Sequence, residues 1–243
     1  MTHGIPSAIV ILTAVELEAA ALARQLDLFP LASSPFRVFG RRGLSVAPVG
    51  LRAHLLAERW ASLTGGLVRP LVISAGLCGA LDPRLRVGDL VVPDRVLGPS
   101  GERFDLDAPG PRRAVLGAAT SVHEGSLVTT REVAATAGAK AVLRASTGAV
   151  AVDMESAAIV GRAREAGCPA LVVRGVSDSA RDDLPAELIR LLRDDGRIGV
   201  GSAVALAFTR PLVLVRGIAL GRGARRALAA VGRALAVLAW PDQ

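Results

Sequence analysis

Carboxylates stand just beyond apolar runs at three places in this chain. Ala149–Val152 leads into Asp153-Met154-Glu155, Ala170–Val176 leads into Ser177-Asp178, and Ala8–Leu12 is followed by Glu16 and Glu18. An acid at the end of a buried strand is partly desolvated and rigidly held. That suits it to general acid–base work or to hydrogen bonding of substrate hydroxyls. Other chemistries lack their residues. The only histidines are His3, His54 and His123, and none stands near a Ser or Cys in a nucleophile motif. Cys78 and Cys168 have neither metal-ligand nor disulfide spacing, so no metal site and a reducing compartment are expected. There is no Walker loop, and no G-x-G-x-x-G follows the first apolar run.

These acids need a frame. Ala8–Leu12 predicts a buried strand and Val15–Leu26 a helix, with Thr13 and Glu16 resembling a capping box. Phe36–Phe39 and Leu44–Pro48 predict a hairpin with a basic turn at Arg41-Arg42-Gly43, and a helix follows over roughly Ala53–Leu63. Pro70–Ser74 predicts a strand that opens into a small-residue loop, Ala75-Gly76-Leu77-Cys78-Gly79-Ala80-Leu81, where a ligand can approach the backbone. Leu90–Pro93 predicts a strand, Leu97–Pro111 a loop, Ala114–Ala119 a short helix, Gly125–Thr129 a strand and Ala134–Ala145 a helix. Ala149–Val176 then predicts strand, helix (Ser156–Ala166, stopped by Gly167 and Pro169) and strand, a βαβ unit with both its acid clusters at strand C-termini. Helices are expected over Asp182–Leu192, Leu212–Leu220 and Ala224–Trp240. The alternation predicts an α/β fold with a mainly parallel or mixed sheet, and the lack of repeats or linkers predicts one domain over 1–243.

The chain has 243 residues, is 51% hydrophobic and carries +7, with a mean hydropathy of +0.44. Aromatics make up 3% and Tyr is absent, so a nucleobase platform would have to rely on few rings or on aliphatic side chains. From Thr209 onward there are six Arg against one acid, Asp242, which makes 209–243 a basic helical extension. Such an extension can meet an anionic membrane surface or be a plain solvated face. A nucleic-acid partner is not expected, since aromatic interleaving and a recognised motif are lacking. The start MTHGIPSAIVILTAVE lacks a basic leader, and the uncharged run Ile198–Thr209 is shorter than the about 20 residues a membrane helix needs. A cytoplasmic location, with a candidate peripheral contact at the inner membrane, is the expectation.

Four segments together, in order and spacing, resemble the purine-nucleoside phosphorylase and nucleosidase superfamily, which includes methylthioadenosine/S-adenosylhomocysteine nucleosidases. They are ILTAVELEA (11–19), VISAGLCGALDPRLRVGDLVVP (72–93), VAVDMESAAI (150–159) and VVRGVSDSA (172–180). Within the superfamily, KAVLRASTGAVAVDMES (140–156), LRDDGR (192–197) and the Arg-studded tail are most similar to hopanoid-associated phosphorylases, also called adenosylhopane nucleosidases. The resemblance implies a three-layer α/β/α fold around a mixed, mostly parallel twisted sheet, with C-terminal helices added. It also implies a homo-oligomer, and cleavage of the N-glycosidic bond of an adenosyl compound with release of adenine. It implies no cofactor, although phosphate can be a co-substrate.

By the same match, Asp178 protonates the leaving purine, Glu155 binds ribose hydroxyls, Met154 packs on the sugar and Glu18 orients attacking water, with Glu16 as the alternative. Asp153, Ser177 and the backbone of Gly76, Leu77 and Cys78 complete the expected substrate site. Two departures bear on this. Ser74 stands where hexameric phosphorylases carry a phosphate-binding Arg, which favours water as nucleophile, although Arg41, Arg42 or Arg52 could still hold phosphate. Thr130-Arg131-Glu132-Val133 lacks the adenine-stacking aromatic of the nucleosidases, which leaves Val133 as the candidate platform. Adenosylhopane is the first substrate this suggests. The alternatives are methylthioadenosine, S-adenosylhomocysteine or another purine nucleoside, or a non-catalytic purine-binding or membrane-docking protein.

Overall fold

The computed structural model describes residues 8–32, 34–184 and 211–239. Its strands are β1 (Ile9–Thr13), β2 (Phe29–Pro30), β3 (Phe39–Arg41), β4 (Leu44–Pro48), β5 (Leu71–Ala80), β6 (Leu90–Val91), β7 (Arg95–Leu97), β8 (Arg103–Asp105), β9 (Val122–His123), β10 (Ser126–Thr129), β11 (Ala151–Asp153) and β12 (Ala170–Asp178). Its helices are α1 (Glu16–Gln25), α2 (Leu56–Thr64), preceded by a 3-10 turn at Leu51–Ala53, α3 (Pro109–Ala118), α4 (Ala137–Thr147), α5 (Ser156–Glu165) and α6 (Pro211–Ala239).

All the strands lie in one mixed sheet. β4, β1, β5 and β12 run parallel, whereas β11 is antiparallel to β5 and parallel to β10, which is parallel to β7. Alternation along the central strands divides the core. Ile9, Ile11, Leu71, Ile73, Leu171 and Val173 face Leu22 of α1 and Leu26 just after it, Val115 of α3 and Val231, Leu235 and Leu238 of α6. Val10, Leu12, Val72 and Val172 face Leu56 and Trp60 of α2 and Ile159 and Val160 of α5. This is the three-layer α/β/α arrangement expected, since a strand buried on both faces needs helices above and below it.

The sheet also closes on itself. β6 and β7 are successive pieces of one run, paired with β9 and β10, pieces of another. β6 pairs with β12 and β10 with β11, while β12 and β11 both pair with β5. On one edge of β5, β1 stops at Ser74 and β11 begins at Gly79. Between them this edge has no strand partner, and the candidate site lies at that gap.

Several expectations are corrected. The Gly-rich stretch after Ser74 is not a loop: β5 continues to Ala80, because β12 pairs with it as far as Gly79. The segment 149–176 is not a parallel βαβ unit, because β11 and β12 flank β5 in opposite directions. The stretch 97–111 is not one loop; β7 and β8 form a hairpin there and α3 starts at Pro109. The strand expected at Phe36–Phe39 is β3, further along, with β2 added outside it. The helix expected at Ala53–Leu63 begins as a separate 3-10 turn, and α4 is displaced to Ala137–Thr147, where the Thr136 side chain caps Ala139 N.

The two terminal helices are one helix, α6, and over Ala230–Ala239 its apolar residues pack on the core. Gly175 makes this possible, since a Cβ there would meet Ala227 O at 2.6 Å. Arg222, Arg225, Arg226 and Arg233 remain exposed in a stripe. The helix expected from Asp182 and the LRDDGR segment lie outside the described residues beyond Leu184. Among the described residues, no helix is long and apolar enough to cross a membrane.

Candidate active site

Arg174 is the hub. It sits in the middle of β12 on the α5 side, and its side chain is 1% exposed. A buried guanidinium must place its donors on acceptors. Nη2 donates to Ser74 Oγ at 2.7 Å and to Ser156 Oγ at 3.0 Å, and lies 2.7 Å from Asp153 Oδ2. Nη1 donates to Leu77 O at 3.4 Å and stands 3.9 Å from Glu155 Oε2. Ser74, at the position of the missing phosphate-binding Arg, is thus one of the acceptors that hold Arg174.

Three carboxylates surround this cation. Asp153 ends β11, takes the Thr129 hydroxyl at 2.6 Å and caps Ser156 N at 3.1 Å, so it orients α5 as well as Arg174. Glu155, just before α5, accepts Arg52 N–H at 3.0 Å, and burial, followed by the nearby Asp153 and Glu18 charges, pushes its carboxyl up to about 7 against the pull of Arg174. Glu18 comes from the first turn of α1. Its Oε2 accepts Ala14 N at 2.9 Å and Val15 N at 3.3 Å, and its Oε1 accepts Leu77 N at 3.0 Å across the gap in the edge of β5. Burial raises the Glu18 carboxyl above the usual range, opposed by Arg174 and those three N–H groups. The expected Thr13–Glu16 capping box does not form; α1 starts at Glu16, and Glu18 does the capping. Of the two candidate glutamates, Glu18 is buried in the cluster and Glu16 is only half-buried.

Gly76 permits this crowding. It adopts φ +149, and a Cβ there would stand 2.8 Å from both Arg174 Nη1 and Glu18 Oε1. Met154 and Leu77 are half-buried beside the cluster, and Cys78 is buried, its thiol pushed up by burial.

Asp178 stands four residues further along β12, roughly 13 Å of extended chain from Arg174. It opposes Gly79, whose own Cβ position would be 3.1 Å from Asp178 Oδ2. Ser177 Oγ lies 2.6 Å from Asp178 Oδ1, and Lys140 Nζ, buried in α4, lies 2.5 Å from Oδ2. Glu18 and Arg174 thus crowd Gly76, and the lysine-held Asp178 stands against Gly79, three residues further along β5. Carboxyls in two such environments can serve as nucleophile activator and proton donor.

Not every expected residue joins the cluster. Val133 is half-buried in the loop after β10, in the segment that gives Arg131 O to Arg52 Nε at 2.8 Å. Of the cations considered for phosphate, Arg41 pairs with Asp27 and Arg42 lies in the exposed β3–β4 turn; only Arg52 borders Glu155. A recess of about 700 Å³ runs along α4, lined by Leu81, Pro83, Ala141, Arg144 and Ala180 among others, but no carboxylate lines it, so the chemistry lies at the acid cluster. Sequence reasoning missed Arg174 and Lys140 as site residues. A charge inside the apolar run Ala170–Val176 was a readable signal for Arg174, because such a charge demands buried partners. Lys140, in an Ala-rich helix, offered none.

Comparison with known proteins places this geometry in context. The family model described as Phosphorylase superfamily matches residues 67–203. A futalosine hydrolase from Streptomyces coelicolor is 27% identical over 208 residues, covering 70% of this chain and 83% of its own. The fold is similar to that of the 5′-methylthioadenosine/S-adenosylhomocysteine nucleosidase from Neisseria meningitidis, with a TM-score of 0.70 at 19% identity over 96% of this chain and 98% of the other. It is also similar to futalosine hydrolase of Helicobacter pylori, with a TM-score of 0.67 at 15% identity over 96% and 97%. The family match spans more than half of the chain, and the chain belongs to the phosphorylase superfamily.

Proposed function

We propose that this chain is an N-glycosidase that releases adenine from an adenosyl compound, with water as the nucleophile. The observation that carries the reading is the pair Glu18 and Asp178, two buried carboxyls of different environment that meet β5 at Leu77 and at Gly79. Glu18, raised by burial and pointed into the gap of β5, takes the proton of the attacking water. Glu155 accepts the ribose hydroxyls, and the ionised cluster stabilises the cationic sugar of the transition state. Met154 packs on the sugar, and Asp178, beside Ser177, gives a proton to the purine as the bond breaks. Val133 and the Gly76-Leu77-Cys78 backbone would bound the base. Arg174 is held by Ser74 and Ser156, and of the cations considered for phosphate Arg52 alone borders Glu155 among the described residues, which favours water.

For the substrate, adenosylhopane is favoured by the resemblance of Lys140–Ser156 and the basic tail to the hopanoid-associated group. The exposed Arg stripe of α6 would touch an anionic membrane. A second reading, a nucleosidase for a small soluble nucleoside, is supported by the similarity to methylthioadenosine/S-adenosylhomocysteine nucleosidases and to futalosine hydrolase. A single domain acting as a homo-oligomer, without cofactor, completes the proposal.

The test is chromatography of free base released from adenosylhopane, methylthioadenosine, S-adenosylhomocysteine, adenosine and futalosine, each with and without phosphate. Adenine from adenosylhopane, indifferent to phosphate, is expected. Release only from a small nucleoside replaces the substrate, and phosphate dependence replaces the nucleophile. No base from any of them, with folded protein, overturns the reading.

A further inference from the structure

Lys140 serves two groups at once, the Asp178 carboxyl and the 179–182 turn. It lies near the start of α4, where the helix dipole already presents positive charge, yet its side chain is 1% exposed. An ammonium has three donors and no acceptor. Here one goes to Asp178 Oδ2 at 2.5 Å, one to Ser179 O at 2.8 Å and one to Asp182 O at 3.0 Å, so the group is fully committed to one place. Cys78 of β5 is close enough for the Asp178 charge to act on its thiol, and Arg174 is the next cation back along β12.

The geometry makes the two oxygens of Asp178 unequal. Lys140 cannot accept, so Oδ2 facing it carries no proton, and a transferable proton resides on Oδ1. Ser177 Oγ is 2.6 Å from Oδ1 and 3.1 Å from Cys78 O. Its single hydrogen either goes to Oδ1, or turns to Cys78 O while Oγ accepts a hydrogen from Oδ1. The ionised and the neutral carboxyl are thus both satisfied without moving a heavy atom.

We propose that Lys140 is a positioning residue for departure of the base, assigning the donated proton to Asp178 Oδ1 and stabilising the carboxylate left behind. This rests on the N-glycosidase reading above. In the step, the Oδ1–H bond breaks and an N–H bond forms on the purine. The electron pair of the C–N bond leaves with the base, and solvent later returns the proton to Asp178. Negative charge therefore grows beside an ammonium already in place, and the interaction is stronger in the transition state than before it.

Lys140 also ties the 179–182 turn to α4, next to Asp183 Oδ1, which accepts Ala137 N at 2.8 Å. A purely structural tie would act on every substrate alike. The test compares wild type, Lys140→Met and Lys140→Arg on the adenosyl nucleoside that wild type cleaves and on the 4-nitrophenyl riboside with the same 5′ group, whose leaving group departs without a proton. For Lys140→Met, kcat on the nucleoside is expected to fall about 100-fold with KM little changed. The fall on the aryl riboside is expected to be at least tenfold smaller, and Lys140→Arg is expected to recover part of the loss. Equal losses on both substrates, or none on either, overturn the proposal. Wild-type protein that cleaves neither overturns the glycosidase reading and this one with it. If Lys140→Met does not fold, Lys140→Gln carries the same comparison.

Discussion

Replacing Glu155 by Gln should make the protein more stable and less active, and the gain should depend on pH. Glu155 is buried, with a carboxyl pushed from an ordinary 4.5 up to about 7. A carboxyl raised by folding contributes stability that is intact below about 4.5 and lost as pH rises through about 7. At about 1.36 kcal/mol for each tenfold change in protonation, the loss above pH 7 amounts to about 3 kcal/mol. Gln removes the charge but keeps a carbonyl for Arg52 N–H, and Asp153 still holds Arg174 at 2.7 Å. In a chain of this size ~3 kcal/mol corresponds to a Tm rise of about 6–12 °C. Thermal unfolding followed by circular dichroism at pH 8 should show that rise, and at pH 4.5 wild type and variant should coincide. Activity runs the other way: if ionised Glu155 binds the ribose, kcat/KM of wild type rises with pH through about 7 and the variant loses it. A variant no more stable than wild type at pH 8, or one equally stabilised at pH 4.5, would refute the reasoning.

Arg174→Met strands Asp153, Glu155 and Glu18 without their buried cation and should cost about 3–5 kcal/mol in urea unfolding at pH 8, with a smaller loss at pH 5, where the Glu155 carboxyl is neutral. Gly76→Ala places a Cβ 2.8 Å from Glu18 Oε1 at φ +149, and should cost about 1–3 kcal/mol together with most of the base release, measured on one preparation. Asp178→Asn should reduce adenine release by about 10²- to 10⁴-fold and also lower Tm, because it removes the proton donor and leaves the buried Lys140 ammonium without its carboxylate. Exchanging Arg222, Arg225, Arg226 and Arg233 for Gln should abolish co-sedimentation with anionic liposomes at low salt, and wild type should lose it as salt is raised; equal binding by both would remove the tail from any membrane role.

The acids of the candidate site were legible early because they follow apolar runs, and a buried strand end is a local property of the chain. Glu155, Asp153 and Asp178 were placed from sequence for that reason, and so were the strands that carry them. The choice between Glu16 and Glu18 was not legible. Both lie in the first turn of α1, and only the unpaired edge of β5 at Leu77 shows which one is drawn inward.

Local hydrophobicity and glycine content made Ala75–Ala80 look like a loop, yet pairing with β12 keeps it extended. Strand direction was equally hidden. The run Ala149–Val176 has the spacing of a βαβ unit whichever way β11 runs, and its antiparallel pairing with β5 depends on segments far away in the chain.

The sequence by itself therefore determined the alternation of strands and helices, the buried faces and the residue types that can do acid–base chemistry, all of which follow from periodicity within a few residues. Tertiary structure decided which groups meet: that Arg174 gathers three carboxylates, that Lys140 of α4 reaches Asp178 of β12, and that Ala230–Ala239 of α6 packs on the core. Those pairings join residues tens of positions apart, and no local pattern encodes the partner that a buried charge will find.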